Sequence, residues 1–265
     1  ETNTWEFVAP METPRAWFNA INVDGFIYAV GGSHSSGSQI GSIERYNPYN
    51  DTWKTSKHEL NLPRNELGLA KGVDNKIYAI GGTIDASGEK TSTVEVFDTH
   101  NPSLGWQLLP HSLSSPRTFL GAGTDKLGRI YAIGGLENSN TVERFDPSNP
   151  EPGWQSIPNL NTEIGVTRAS ATAFDGSIFI MGESGVVEVG TVEVNDILWT
   201  NHSNLQDTAQ YSAAAHDNVK GYLYKFGGVS ERDKRVYTGI KPEPSTLGIL
   251  GAGLIGASAR RRKNN

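Results

Sequence analysis

A seven-residue pattern recurs five times along the chain, and it limits the possible folds more than any other feature of the sequence. FIYAVGG begins at Phe26, and the later copies, KIYAIGG, RIYAIGG, SIFIMGE and YLYKFGG, begin at residues 76, 129, 177 and 222. A period near fifty residues indicates a repeat architecture. Each copy is a short apolar run typical of a buried strand. The glycine pair that ends it provides backbone freedom for a positive φ or for close approach of a neighbouring chain.

The other positions of each repeat predict three more strands. An arginine precedes the first strand in three repeats, and a turn such as Asp24-Gly25 leads into the glycine strand. A polar loop and a third strand follow, and a tryptophan marks the fourth strand. The tryptophans in phase are Trp53, Trp106, Trp154 and Trp199, with Trp5 ahead of the first repeat. The fifth repeat ends after its third strand, so we expect the Trp5 strand to complete its sheet.

These features resemble the kelch repeat over residues 1–241. The resemblance implies an all-β fold, a β-propeller of four-stranded antiparallel blades around a channel. We expect five blades, closed by pairing of the N-terminal strand with the C-terminal blade. Kelch propellers more often have six or seven blades, and ETNTW at the start looks like the interior of a repeat, so further blades could precede Glu1.

The composition changes after Lys241 and marks a second segment, residues 242–265. It resembles the PEP-CTERM sorting signal of exported bacterial proteins, which has a Pro-Glu-Pro motif, an apolar run and a basic end. The run at 247–259 predicts a hydrophobic helix of roughly 20 Å, shorter than the ~30 Å hydrocarbon core of a membrane. The alternative is a C-terminal helix packed on the propeller. The expected signal residues are Pro242, Glu243, Pro244, Arg260, Arg261 and Arg262.

The sorting signal implies an exosortase-type enzyme as partner, which recognises the Pro-Glu-Pro motif and removes the tail. If the arginines stay on the cytoplasmic side, we expect the propeller on the opposite side of the inner membrane of a Gram-negative-type bacterium. We expect a transiently inserted, membrane-tethered precursor, and then a monomeric protein at the cell surface or outside the cell. Because the chain begins at Glu1 without a signal-like run, either a leader has been removed or the sequence is a fragment.

Charge and composition exclude several classes of function. The net charge is −6, and the basic run at residues 260–263 contributes four positive charges, so without that run the chain carries 19 basic against 29 acidic residues. Such a surface disfavours nucleic acid as a partner. The absence of cysteine excludes thiolate chemistry. The histidines show no metal-binding spacing, so we expect neither a metal site nor a cofactor.

The candidate binding surface is the face on which strand one begins and the loop between strands two and three emerges. Loops at such a face commonly carry function. Arginines there could bind a carboxylate or a sugar acid through paired N–H donors, or each could cap carbonyls and pair with an acid of its own blade. Trp17 could stack on a sugar or fill the core. The candidates are Arg15, Arg64, Arg117, Trp17, His34, Asp85, Glu137 and Tyr211.

Three functions remain open. The first is a non-enzymatic module that binds an exopolysaccharide or another surface protein. The resemblance to PEP-CTERM proteins implies an association with exopolysaccharide and biofilm. The second is a sugar-active enzyme of the kelch mutarotase or epimerase type, which would place an arginine beside a desolvated glutamate or histidine in one concave pocket. The third is a structural spacer without a ligand. The kelch copper oxidase chemistry is excluded, because it needs a cysteine.

Overall fold

The fold consists of antiparallel β-sheets in the order of the repeats. The computed structural model describes residues 6–136, 140–161, 170–174, 177–181, 187–192, 197–201, 213–217, 222–226, 236–240 and 259–260. Within these ranges, no helix has the length and hydropathy needed to cross a membrane. The expected hydrophobic helix at 247–259 lies outside them except for Ala259, which is in a strand.

A short strand, β1 (Glu6–Phe7), precedes five sheets, here called blades 1 to 5. Blade 1 contains β2 (Asn19–Val23), β3 (Phe26–Val30), β4 (Ile43–Asn47) and β5 (Thr52–Thr55). Blade 2 contains β6 (Gly68–Lys71), β7 (Lys76–Ile80), β8 (Val94–Asp98) and β9 (Trp106–Leu108), with a 3-10 turn at Pro102–Leu104. Blade 3 contains β10 (Gly121–Thr124), β11 (Ile130–Ile133), β12 (Val142–Phe145) and β13 (Gln155–Ile157). Blade 4 contains β14 (Ser170–Phe174), β15 (Ser177–Met181), β16 (Val187–Val192) and β17 (Ile197–Asn201). Blade 5 contains β18 (Ala213–Asp217), β19 (Tyr222–Phe226) and β20 (Val236–Ile240), and β21 (Ala259–Arg260) follows.

The predicted all-β fold of four-stranded antiparallel sheets is confirmed. In blades 1 to 4 the strands pair in sequence order, first to fourth. The first strands of successive blades contact one another from β2 through β6, β10 and β14 to β18, so they are the innermost strands. The predicted tight turn before β3 is present, with Asp24 at φ 52° and Gly25 at φ 82°.

The hydrophobic core lies between neighbouring blades. One cluster joins side chains of blades 1 and 2, a second joins blades 2 and 3, and a third joins blades 3 and 4. Trp106, Trp154 and Trp199 are buried in these clusters. Trp106 also packs on Phe97 of the adjacent strand, with ring centroids 5.3 Å apart. These three tryptophans therefore hold blade against blade, as the repeat pattern predicts, whereas Trp53 is half-buried and packs on Tyr46 of its own blade.

The chain ends pair differently from the expectation. Glu6 and Phe7 pair antiparallel with Arg260 and Ala259 of the tail, and not with β20 of blade 5. Among the described residues, blade 5 has three strands, and Trp5 lies outside them. An exposed strand edge offers unpaired N–H and C=O groups to any extended segment that reaches it, which explains how β1 can take a different partner.

Candidate functional site

The three arginines predicted for the binding surface lie inside their own blades. Their exposed fractions are 5% for Arg15, 0% for Arg64 and 1% for Arg117. Each Nη2 contacts a buried glutamate on the third strand of the same blade. The pairs are Arg15–Glu44 at 2.6 Å, Arg64–Glu95 at 2.7 Å and Arg117–Glu143 at 2.7 Å.

Arg64 has the most complete set of partners. Its Nε donates to Leu62 O, and its Nη1 donates to the carbonyls of Gly81 and Thr93. Its Nη2 donates to Thr93 Oγ1 and to Glu95 Oε1. Burial lowers the pKa of Arg64, and the charge and hydrogen bond of Glu95 oppose that shift. The guanidinium of Arg64 is therefore enclosed, and all of its N–H groups have hydrogen-bond acceptors.

The glutamates paired with these arginines have a structural role that the sequence analysis did not predict. Glu95 also accepts the backbone N–H of Asn61 at 2.7 Å and of Leu62 at 3.0 Å, which fixes the segment that enters blade 2. Glu44 does the same for residues 12 and 13 in blade 1. The signal was present in the sequence as a glutamate that recurs in the third strands of blades 1 to 4: Glu44, Glu95, Glu143 and Glu188.

The guanidinium groups thus do not reach the surface. Their contacts match the alternative interpretation, in which each arginine caps carbonyls and pairs with an acid of its own blade. A ligand role for Arg15, Arg64 and Arg117 stays a prediction. Nε of Arg15 and Nε of Arg117 are buried without a hydrogen-bond partner.

The residues two positions after these arginines lie just before the first strand of each blade, on the face here called the channel-mouth face. Trp17, Glu66 and Phe119 have φ values of 58°, 56° and 55°, a left-handed conformation that side chains other than glycine rarely adopt. Glu66 N donates to Trp17 O at 2.8 Å, and Phe119 N donates to Glu66 O at 2.9 Å. The Trp17 and Phe119 rings meet edge to face, with centroids 5.8 Å apart. A series of backbone hydrogen bonds, here called the channel-mouth hydrogen-bond series, therefore links blades 1, 2 and 3. Strained backbone positions of this kind often occur at functional sites.

A cleft of about 300 Å³ opens beside this hydrogen-bond series. It lies between blade 2, blade 3 and the loop before β4. Its polar lining includes Asn65, Glu66, Thr83, Asp85 and Thr118. Glu66 Oε2 accepts hydrogen bonds from Thr83 Oγ1 at 2.9 Å and Thr118 Oγ1 at 2.8 Å. The remaining lining residues are Gly37, Gln39, Ala86, Gly88, Lys90, Phe119 and Leu136.

The other sequence candidates are partly brought together here. Asp85 lines the cleft, and its carboxylate accepts hydrogen bonds from Glu89 N and from Ser87, which lower its pKa and order the loop. His34 is exposed in the loop before β4. Trp17 is 38% exposed beside Phe119. Glu137 and Tyr211 lie outside the described residues. No cluster of three or more potential metal ligands occurs in the described part of the chain.

Sequence comparison identifies the repeat. The kelch motif matches residues 14–56 and 72–102. The chain contains kelch repeats. A second match, to the PEP-CTERM protein-sorting motif, covers residues 242–263 and so includes the Pro-Glu-Pro residues and arginines predicted from the sequence. That motif indicates an exported protein of Gram-negative-type bacteria that is sorted by an exosortase.

Relatives and a solved structure agree with this assignment. The chain is similar to the Kelch repeat and BTB domain-containing protein 1 of vaccinia virus (strain Copenhagen), with 29% identity over 86% of this chain and 40% of the viral protein. It is 46% identical to the F-box protein AFR of Arabidopsis thaliana over 21% of this chain and 15% of that protein. The kelch chain thus spans about 40% of the length of its viral relative. The structure titled "Structure of YjhT" has a TM-score of 0.69 at 14% identity, covering 89% of this chain and 84% of that one, which supports the propeller fold.

Proposed function

We propose that this kelch propeller is a non-enzymatic module that binds polysaccharide on the channel-mouth face after export. The observation that carries the proposal is the half-exposed aromatic pair, Trp17 and Phe119, at the edge of a polar cleft. Aromatic faces pack against the apolar C–H face of a sugar ring, while a concave site with a few polar groups orients its hydroxyl groups.

The alternative, a sugar-active enzyme, has less support. It requires an arginine beside a desolvated glutamate or histidine within one concave pocket. In the described part of the chain, the three arginine–glutamate pairs are enclosed in the sheets, and none of the arginines lines the cleft. A propeller fold by itself does not distinguish the two functions.

The polysaccharide proposal predicts that Trp17→Ala weakens binding about tenfold, because a stacking face at the site is removed. Tyr49→Ala is a matched control, because Tyr49 is also an exposed aromatic residue, 82% exposed, but lies in the turn between β4 and β5 on the opposite face. Binding of the full chain to a glycan array measures both. Equal binding by the two variants, or no binding to any glycan by the unaltered chain, would contradict the proposal.

For the two parts of the chain, we propose that residues 1–241 form the binding propeller and that residues 242–265 serve only for sorting. Export would then leave a monomeric propeller at the cell surface or outside the cell. The tail would be inserted in the inner membrane only until an exosortase removes it.

Replacing both Pro242 and Pro244 by alanine is expected to keep the protein in the membrane fraction, because the recognition motif is lost while the apolar run remains. Pro152→Ala, in an exposed loop of the propeller, is the matched control and should be released like the unaltered protein. Fractionation and immunoblotting in a host that carries an exosortase measure the outcome. Release of the double variant at the normal level would show that the motif is not read in this chain.

A further inference from the structure

An unpartnered acceptor is the most informative feature of the cleft. Asn65 lines it and is 8% exposed, yet its side-chain Oδ1 is buried without a hydrogen-bond partner. The backbone of Asn65 is fixed by two hydrogen bonds with Thr83, 3.0 Å from its N to Thr83 O and 2.9 Å from Thr83 N to its O. A buried polar group without a partner destabilises a protein unless something else uses it. Here the rigid backbone holds the amide at the cleft.

The neighbouring groups also accept hydrogen bonds. The hydroxyl groups of Thr83 and Thr118 have one hydrogen each, which can be donated to Glu66 Oε2 or across the 3.0 Å between the two hydroxyl oxygens, so neither hydrogen is left for a ligand. Their lone pairs remain, as does the other oxygen of Glu66. Asp85 adds a further carboxylate to the lining. The matching ligand is therefore one that donates several hydrogen bonds.

The charge of the lining narrows the class of ligand. Glu66 and Asp85 are acidic, Lys90 is the basic residue of the lining, and the buried arginines are not part of it. A sugar acid would bring its carboxylate next to two carboxylates, which costs free energy. The uncharged hydroxyl groups of a neutral sugar satisfy the same acceptors without that repulsion, and the Phe119 ring offers the apolar face beside them.

We propose that this cleft is a subsite for one neutral sugar residue, in which adjacent hydroxyl groups donate to Asn65 Oδ1 and to Glu66 while the ring packs on Phe119. The inference rests on the polysaccharide function proposed above and gives it a ligand class. It differs from the sugar acid that the arginines suggested from sequence alone.

The test measures binding of the full chain, in detergent, to four polymers: galactomannan and dextran as neutral glycans, alginate as a uronate and chitosan as an amino sugar. We expect binding to at least one neutral polymer and a Kd about tenfold higher for Asn65→Ala. The melting temperature of Asn65→Ala should not fall, because the substitution removes an unpartnered polar group. Glu66→Gln should weaken neutral-sugar binding only a few fold, since the amide still accepts a hydrogen bond.

The possible outcomes separate the subsite from the wider function. Neutral-glycan binding that Trp17→Ala weakens but Asn65→Ala leaves unchanged would overturn the subsite and keep the polysaccharide function. A preference for alginate or chitosan would also overturn it, and for chitosan Glu66→Gln should then abolish binding. A lowered melting temperature together with unchanged affinity in Asn65→Ala would show a purely structural asparagine. Binding to none of the four polymers and to no array glycan would overturn both proposals.

Discussion

Gly81→Ala is expected to destabilise the propeller far more than Gly88→Ala, although both glycines have positive φ, 59° and 89°. A Cβ on Gly81 would lie 2.5 Å from the carbonyl oxygen of Arg117, whereas a Cβ on Gly88 would meet nothing within 4 Å. The left-handed backbone alone costs about 1–2 kcal/mol for alanine. We expect that cost for Gly88→Ala, and a loss of about 4 kcal/mol or more for Gly81→Ala.

The Arg117 carbonyl has little freedom to move away from a new methyl group. It accepts a 2.7 Å hydrogen bond from Gly82 N, which joins blade 2 to blade 3. The side chain of the same arginine is held by Gly134 O and Glu143. Urea unfolding of the two single variants measures the difference. A similar loss in both would show that the Arg117 carbonyl moves away from the new methyl group at no cost, and that the glycine pair is needed only for its backbone angle.

The glycine pair was predictable because its requirement is local. The sequence predicts either positive φ or close approach, and the structure shows both at Gly31, with φ 67° and a would-be Cβ 2.4 Å from Arg64 O. The strand order, the hairpin turn and the tryptophans between blades were predictable for the same reason, since each follows from a pattern repeated in phase. The partner of β1 depends on which distant segment reaches an open edge, and no periodicity encodes that.

The site was only partly predictable. The position of Arg64 on the loop face follows from strand counting, but its side chain turns into the blade because Glu95, between two valines in a strand covered on both faces, needs a buried partner. Trp17 is not one of the tryptophans that recur in phase, yet it occupies the same left-handed position as Glu66 and Phe119. Because three unlike side chains occupy this position, the sequence shows no motif there. The channel-mouth hydrogen-bond series and the cleft beside it could therefore be found only from the structure.

Arg64→Ala is expected to lower the free energy of unfolding by about 3–5 kcal/mol, because it leaves Glu95 as a buried charge without its counterion. Glu95 keeps the two backbone N–H groups of residues 61 and 62, which do not neutralise it. The exposed pair Lys76–Asp74, with side chains 37% and 38% exposed, provides a matched control. Lys76→Ala should cost at most about 1 kcal/mol, since water solvates the remaining carboxylate. Urea unfolding of both variants measures the contrast.

A double variant, Arg64→Met with Glu95→Leu, separates the loss of the ion pair from the loss of the other hydrogen bonds. If the uncompensated charge dominates, the double variant is more stable than Arg64→Ala, because no buried charge remains. The other hydrogen bonds are those to the carbonyls of Gly81 and Thr93 and from the N–H groups of residues 61 and 62. If their loss dominates the destabilisation, the double variant is no more stable than Arg64→Ala, because all of these groups lose their partners. Arg117→Ala should lower the free energy of unfolding less than Arg64→Ala, because Nε of Arg117 already lacks a hydrogen-bond partner. The opposite order would mean that saturation of the guanidinium contributes nothing to the stability of the blade.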